Sequence, residues 1–174
     1  MSGAVAVGGN RAGGLTAPAI ARLIALLLPA ALLGGALGSQ YLGGLHPCEM
    51  CYWQRWPHGV AIVLAALAFT APADSGRSRT LTLLAALAIA VSGAIGVYHA
   101  GVEAKIFEGF TQCTATGKGL SPDQLLKEIA HAPLVRCDEV QFRFLGISMA
   151  GWNAILSLGG AALILILSLK GRRA

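Results

Sequence analysis

The sequence predicts an all-α membrane protein, a four-transmembrane-helix bundle with a short interfacial helix in its second outer loop. Three observations predict it. Of the 174 residues, 55% are hydrophobic and 12% are charged, about half the charge of a typical soluble domain at roughly 25%. The apolar residues gather into four runs that approach or exceed the ~20 residues needed to cross a ~30 Å hydrocarbon layer. Basic residues flank those runs unevenly. A chain this short still exposes about a third of its unfolded surface after folding, and 13 basic with 8 acidic side chains cannot keep such an exterior dissolved in water.

The first run covers residues 19–38, is interrupted by Arg22, and is expected to kink at Pro29. The second covers 56–71, the third 80–98 and the fourth 146–169. Together they make a membrane domain over 19–170, preceded by a Gly/Ala-rich flexible tail (1–18) and followed by a basic tail (171–174). The runs are continuous rather than alternating, and too few, for a membrane β-barrel. Disorder needs low hydrophobicity and high charge, the reverse of this composition. Four cysteines in 174 residues are too few for a disulfide-dense secreted scaffold. The net charge of +5 stands in short pieces beside apolar runs, not on one face, which argues against a nucleic-acid partner.

Charge also sets the topology. Arg11, Arg22, Arg77, Arg79, Lys170, Arg172 and Arg173 stand against one acid, Asp74, a balance of +6, while the remaining charges come to −1. The positive-inside rule then puts both termini and the link between the second and third runs in the cytoplasm, and residues 40–55 and 99–145 outside. Ten of the eleven aromatic residues lie in those outer loops or the adjoining run ends, Phe69 being the exception. An interfacial belt accounts for this placement, and the one-sided clustering is also consistent with a binding site on the outer face. The first run, with upstream arginines and small residues at Ala36–Gly38, has some marks of a cleavable signal peptide. It is long for that role and completes an even number of spans, so it is read as an uncleaved helix. Ser121-Pro122-Asp123-Gln124 reads as a capping box with Pro at N1. Leu125, Leu126 and Ile129 then share one side and Pro133 stops the helix, as suits a segment lying on the membrane surface. Gly34 with Gly38, and Gly93 with Gly96, have the spacing of close helix contacts, although 23 glycines produce such spacings by chance.

All four cysteines, Cys48, Cys51, Cys113 and Cys137, fall on the outer side. An even count in an oxidising compartment points to disulfides. A bond across Cys48-x-x-Cys51 closes too small a loop to stabilise much, so that spacing is a redox spacing. Cys113 and Cys137 would close a larger loop, structural or exchangeable. Cys51 lies at the start of the second run, where a helix N-terminus favours a thiolate. Arg55 is one turn further on and can share that face; it is either a snorkelling interface arginine or a fixed charge that stabilises the Cys51 thiolate. Zinc is the rival use of Cys with His46, His58, His99 and His131. Only one C-x-x-C is present, the other two cysteines are 24 residues apart, and an oxidising compartment favours S–S over Zn–S; no metal site is expected.

At His46-Pro47-Cys48-Glu49-Met50-Cys51-Tyr52-Trp53-Gln54-Arg55, with Tyr98-His99-Ala100-Gly101-Val102-Glu103 leading to Cys113 and then Cys137, the chain resembles the DsbB-type disulfide bond formation proteins over residues 20–170. The resemblance implies a quinone-dependent thiol oxidase, multi-pass in the bacterial inner membrane with its cysteines facing the periplasm. It implies that Cys113 is attacked by a reduced DsbA-like thioredoxin-fold protein and that Cys137, its mate, exchanges with Cys48. Cys51 would then engage a membrane quinone, ubiquinone or menaquinone, beside Arg55. His99 either contacts the quinone or is an interface residue. Two other readings stand beside this one. A vitamin-K-epoxide-reductase-like enzyme would carry its C-x-x-C late in the chain rather than after the first span. A structural membrane protein would hold two inert outer-loop disulfides.

Overall fold

A computed structural model describes residues 15–109, 121–123 and 135–170. They form four long helices, α1 (Ala17–Tyr41), α2 (Glu49–Ala68), α3 (Gly76–Glu103) and α4 (Met149–Lys170). A small antiparallel hairpin, β1 (Arg143–Phe144) and β2 (Ile147–Ser148), leads into α4. Helices α1, α3 and α4 are long and apolar enough to cross a membrane, with mean hydropathies of 2.1, 2.1 and 1.9. The first half of α2 carries Glu49, Gln54, Arg55 and His58, which lowers its apolar character below theirs.

The helices depart from the apolar runs where capping and turn chemistry decide the boundary. α2 starts at Glu49 rather than near residue 56, because extended Cys48 caps it. α4 starts at Met149 rather than Gly146. Leu145 (φ 51) and Gly146 (φ 80) turn the hairpin instead, two consecutive left-handed residues being the signature of a type I′ turn. Pro29 does not end α1, which runs on to Tyr41. Pro122 and Asp123 are helical directly after Ser121, as the capping box requires. Residues 124–134, Cys113, and the tails at 1–14 and 171–174 lie outside the described residues.

Packing runs around a ring in which α1 meets α2, α2 meets α3, α3 meets α4, and α4 returns to α1. Its centre is built from small side chains, Ala21, Ala25, Ala61, Ala65, Ala85, Ala86 and Ala161, with Ile89 and Ile164 filling between them. Small interface residues let helix backbones approach closely, which is how helices gain packing where lipid supplies no hydrophobic drive between them. Arg22 is accommodated at the end remote from the cysteines. It donates to the Ala71 carbonyl at 3.1 Å and lies 4.5 Å from the centre of the Phe69 ring.

Of the glycine pairs, Gly93 and Gly96 do face α4. A Cβ at Gly96 would sit 3.1 Å from the Ala150 carbonyl oxygen and from the Ala154 amide nitrogen, backbone atoms that cannot swing aside. Around Gly34 and Gly38 a Cβ would meet nothing within 4 Å. Gly96→Leu is therefore expected to cost at least the ~1–3 kcal/mol of an overpacked core, read as a lower unfolding midpoint in detergent. Gly34→Ala should stay within ~0.5 kcal/mol of the parent.

Candidate functional site

The site is assembled at the N-terminus of α2. A helix start leaves four backbone N–H groups without intrahelical partners. Here sulfur takes the place usually held by a Ser or Asp oxygen: the Cys51 N–H donates to Cys48 Sγ at 3.3 Å. The Cys48 and Cys51 sulfurs are 2.7 Å apart. From Cys51 onward, Gln54, Arg55 and His58 follow at the three-, four- and seven-residue spacing of one helical stripe. All four line a cavity of about 270 Å³ between α2, α1 and α4.

Cys137 arrives from the far side of the sequence and is buried against Cys48, Met50 and Val102. Its neighbours fix the approach. Asp138 accepts ion pairs from Arg136 (2.8 Å) and from Lys105, the residue just past α3 whose φ of 60° turns the chain. Lys105 Nζ also donates to the Asp138 carbonyl at 3.0 Å, and Gln141 donates to the His46 carbonyl at 2.6 Å. Arg136, and then Lys105, hold the half-buried Asp138 carboxyl well below the usual carboxylate range. The Cys137 thiol is pulled down to about 7, because the Cys48 thiol donates to it and the Met50 and Glu49 N–H groups at the α2 start face it, against the opposing effect of burial. The Cys48 thiol is pushed far up, since the Cys137 sulfur and then the Cys51 sulfur beside it favour its protonated form and it is itself buried. Of this pair, Cys137 is the more readily ionised.

Arg55 is held by α1. Its Nη2 donates to the Ala36 carbonyl at 3.1 Å and its Nη1 to Gln40 Oε1. Its guanidinium also stands 5.2 Å from the Tyr52 ring centre. His99, buried on α3, places Nε2 3.6 Å from Cys48 Sγ and 3.9 Å from Glu103 Oε1. Its Nδ1 is 2.8 Å from Gln54 Nε2. Behind Gln54 a polar chain continues into the bundle. Asn153 Nδ2 donates to Gln54 Oε1 at 2.8 Å, Ser92 Oγ to the Gln54 carbonyl at 2.8 Å, and His58 Nε2 lies 2.9 Å from Asn153 Oδ1. Ser157 Oγ closes the chain on Asn153 Oδ1 at 3.0 Å.

The structure thus brings Cys48, Cys51, Cys137 and His99 together and sets Arg55 on the same stripe as Cys51. Cys113 lies outside the described residues. Sequence reasoning passed over Gln54, Ser92 and Asn153. Their signal was available: an amide or hydroxyl inside an apolar helical run is costly unless it is hydrogen-bonded, so several such residues in different runs call for one another. The zinc argument from spacing is also incomplete, because folding gathers what sequence separates. Ligand atoms of Cys48, Cys51 and His99 all lie within 4.8 Å of one another.

Helices built to cross a membrane, capped at one end by gathered thiols, define a membrane thiol–disulfide protein. The model of the family described as "Disulfide bond formation protein DsbB" matches residues 18–167, and the chain belongs to that family. Among curated relatives called Disulfide bond formation protein B, that of Methylococcus capsulatus is 37% identical over 152 residues, 83% of this chain and 90% of the relative. That of Chromohalobacter salexigens is 32% identical over 157 residues, 83% of this chain and 84% of the relative. That of Xanthomonas oryzae is 28% identical over 155 residues, 87% and 90% respectively. No solved structure matches. The protein is therefore a disulfide bond formation protein, and its family implies disulfide oxidoreductase activity.

The charge assignment within the thiol cluster has a direct readout. With Cys51 and Cys113 both changed to Ser, ultraviolet thiolate absorbance should half-titrate near pH 7, with more thiolate above that pH and less below. Adding Cys48→Ala removes the donor, and the midpoint should climb toward the ~8.5 of a free thiol.

Proposed function

We propose that this protein is a quinone-dependent thiol oxidase that reoxidises a DsbA-like, thioredoxin-fold periplasmic protein. All four helices cross the bacterial inner membrane, both termini are cytoplasmic, and the cysteine end faces the periplasm. For α2, the support is its outward face, where Trp56, Val60, Val63 and Leu67 are exposed at helical spacing as lipid contact requires. For orientation, the support is the gathering of Arg77, Arg79 and Lys170 at the end opposite the thiols.

The observation that carries the reading is the cavity. Cys51 and Arg55 line it on one side, and Ala31, Leu32, Leu33 and Ala36 of α1 on the other. An apolar slot with a donor at its polar end suits a flat hydrophobic ring bearing carbonyl oxygens. Arg55 has five N–H groups. The bonds to Ala36 and Gln40 fix its plane and leave others for a ligand. These residues therefore fit the headgroup of ubiquinone or menaquinone. A bound quinone supplies a two-electron acceptor within the lipid phase, above the ~−120 mV of a DsbA-type couple, where each 30 mV is worth about 1.4 kcal/mol.

The chain's own residues do the thiol chemistry. The partner's thiolate attacks Cys113 Sγ, forms the mixed disulfide and expels Cys137 as thiolate; the partner's second thiolate then releases Cys113 and leaves the partner oxidised. Cys137 attacks Cys48 Sγ, breaking the Cys48–Cys51 bond, so that Cys51 leaves as thiolate next to Arg55. Its guanidinium charge stabilises that leaving group at the moment it forms. The two reducing equivalents taken from the partner then reside on the reduced Cys113 and Cys51 sulfurs, with the Cys51 thiolate at the edge of the cavity.

Purified protein in detergent, supplied with a reduced thioredoxin-like dithiol and quinone, should reduce the quinone over many turnovers, followed by absorbance. Cys51→Ser should abolish turnover. Arg55→Ala should lower it by at least tenfold while leaving the unfolding midpoint nearly unchanged. Absence of turnover by the parent protein with several quinones and dithiols would overturn the proposal.

A further inference from the structure

We propose that Gln54 is a positioning residue that holds neutral His99 with its proton on Nε2, so that the ring offers a hydrogen-bond donor to Cys48 and withholds its lone pair from a metal. The inference rests on the reading of Cys48 as half of the redox-active pair, but its tests do not depend on quinone turnover.

Backbone carbonyls can only accept, and two of them fix the amides around His99. Asn153 Nδ2 lies 3.2 Å from the Ser92 carbonyl oxygen, so that face of the Asn153 amide is its NH2. The same nitrogen therefore donates to the Gln54 atom 2.8 Å away, which must be the carbonyl oxygen Oε1. At its other end Gln54 Nε2 lies 3.1 Å from the Met50 carbonyl oxygen, which again requires NH2 there. Two independent backbone anchors thus give the Gln54 amide one orientation, with its NH2 pointing at His99 Nδ1 at 2.8 Å. A donor facing Nδ1 leaves that nitrogen only its lone pair to offer. A neutral ring then carries its proton on Nε2.

The surroundings of Nε2 agree. Cys48 Sγ is 3.6 Å away and Glu103 Oε1 3.9 Å away, both able to accept. The ring cannot act as a base toward Cys48 in this state, because its one lone pair is committed to Gln54. It acts as a fixed donor that favours the Cys48 thiolate whenever the Cys48–Cys51 bond must re-form. No proton changes hands in that contact.

The same lock bears on metal. Cys48, Cys51 and His99 place their ligand atoms within 4.8 Å of one another, with Cys137 packed on Cys48, a set of types that zinc takes as Cys3His. Zinc needs the Nε2 lone pair, and a zinc-bound histidine donates its other N–H to a carboxylate or carbonyl. Gln54 presents a donor there instead, so the reduced cluster is kept available for thiol exchange.

The experiment uses the full reduced chain in detergent with 15N-labelled histidine, His99 being assigned by its loss in His99→Ala. The parent should show the protonated nitrogen at Nε2. Gln54→Glu places a carboxylate at Nδ1 and should move the proton there. In a chelator competition with Zn2+ alone, Gln54→Glu should bind about ten- to a hundredfold more tightly than the parent, the usual size of a carboxylate–histidine effect. A proton on Nδ1 in the parent overturns the proposal whatever the variants do. Equal zinc affinity of parent and folded Gln54→Glu overturns the metal-exclusion half.

Discussion

The open N-terminus of α2 is the constraint on which the rest of the site depends. Its unpaired N–H groups carry the positive end of the helix dipole, and sulfur atoms from two distant parts of the chain satisfy them. Cys48 accepts from the Cys51 N–H, and Cys137 faces the Glu49 and Met50 N–H groups. In water such groups would be solvated at little cost. At the end of an apolar bundle they need partners from the protein. A helix start next to three thiols therefore acts on them unequally, drawing the Cys137 thiol down while the Cys48 thiol is pushed up.

Two kinds of packing support that end of the molecule. Toward the end remote from the thiols, alanines let the four helices close on one another. Nearer the cysteines, a buried layer of Gln54, Ser92, Asn153 and His58 replaces apolar packing with hydrogen bonds linking α2, α3 and α4. Such a network tolerates few geometries, since each amide must match both of its neighbours. Placed directly behind the cysteines, it gives the thiol chemistry a fixed frame, while Arg55 is held separately by α1 through Ala36 and Gln40.

Much of this was legible in the sequence. The four apolar runs announced the helices, the C-x-x-C spacing announced two thiols meeting at a helix start, and the one-turn interval placed Arg55 on the stripe of Cys51. Local rules moved two boundaries: a cysteine N-cap lengthened α2, and a left-handed Leu145-Gly146 turn shortened α4. Long-range placement was the part that could not be read. Nothing in the spacing of Cys137 tells that it packs on Cys48, and the bond between Gln54 and Asn153 joins residues 99 positions apart. Periodicity reports which face of a helix is buried, not which neighbour it meets. The polar residues within apolar runs were the available clue, because each one buried in lipid-facing structure calls for a partner.

The central claim is that Cys137 reaches Cys48 directly, so that the two cysteine pairs form one path. It is tested most directly by trapping. In an oxidised Cys51→Ala variant kept free of reductant, Cys48 has no partner on its own helix; its thiolate should attack Cys137 of the Cys113–Cys137 bond and release Cys113 as a thiol, leaving a Cys48–Cys137 disulfide, found by mass spectrometry of the non-reduced digest. Recovery of that bond in most molecules is the result expected. Recovery of Cys137 joined only to Cys113, with Cys48 a free thiol throughout, would contradict the account.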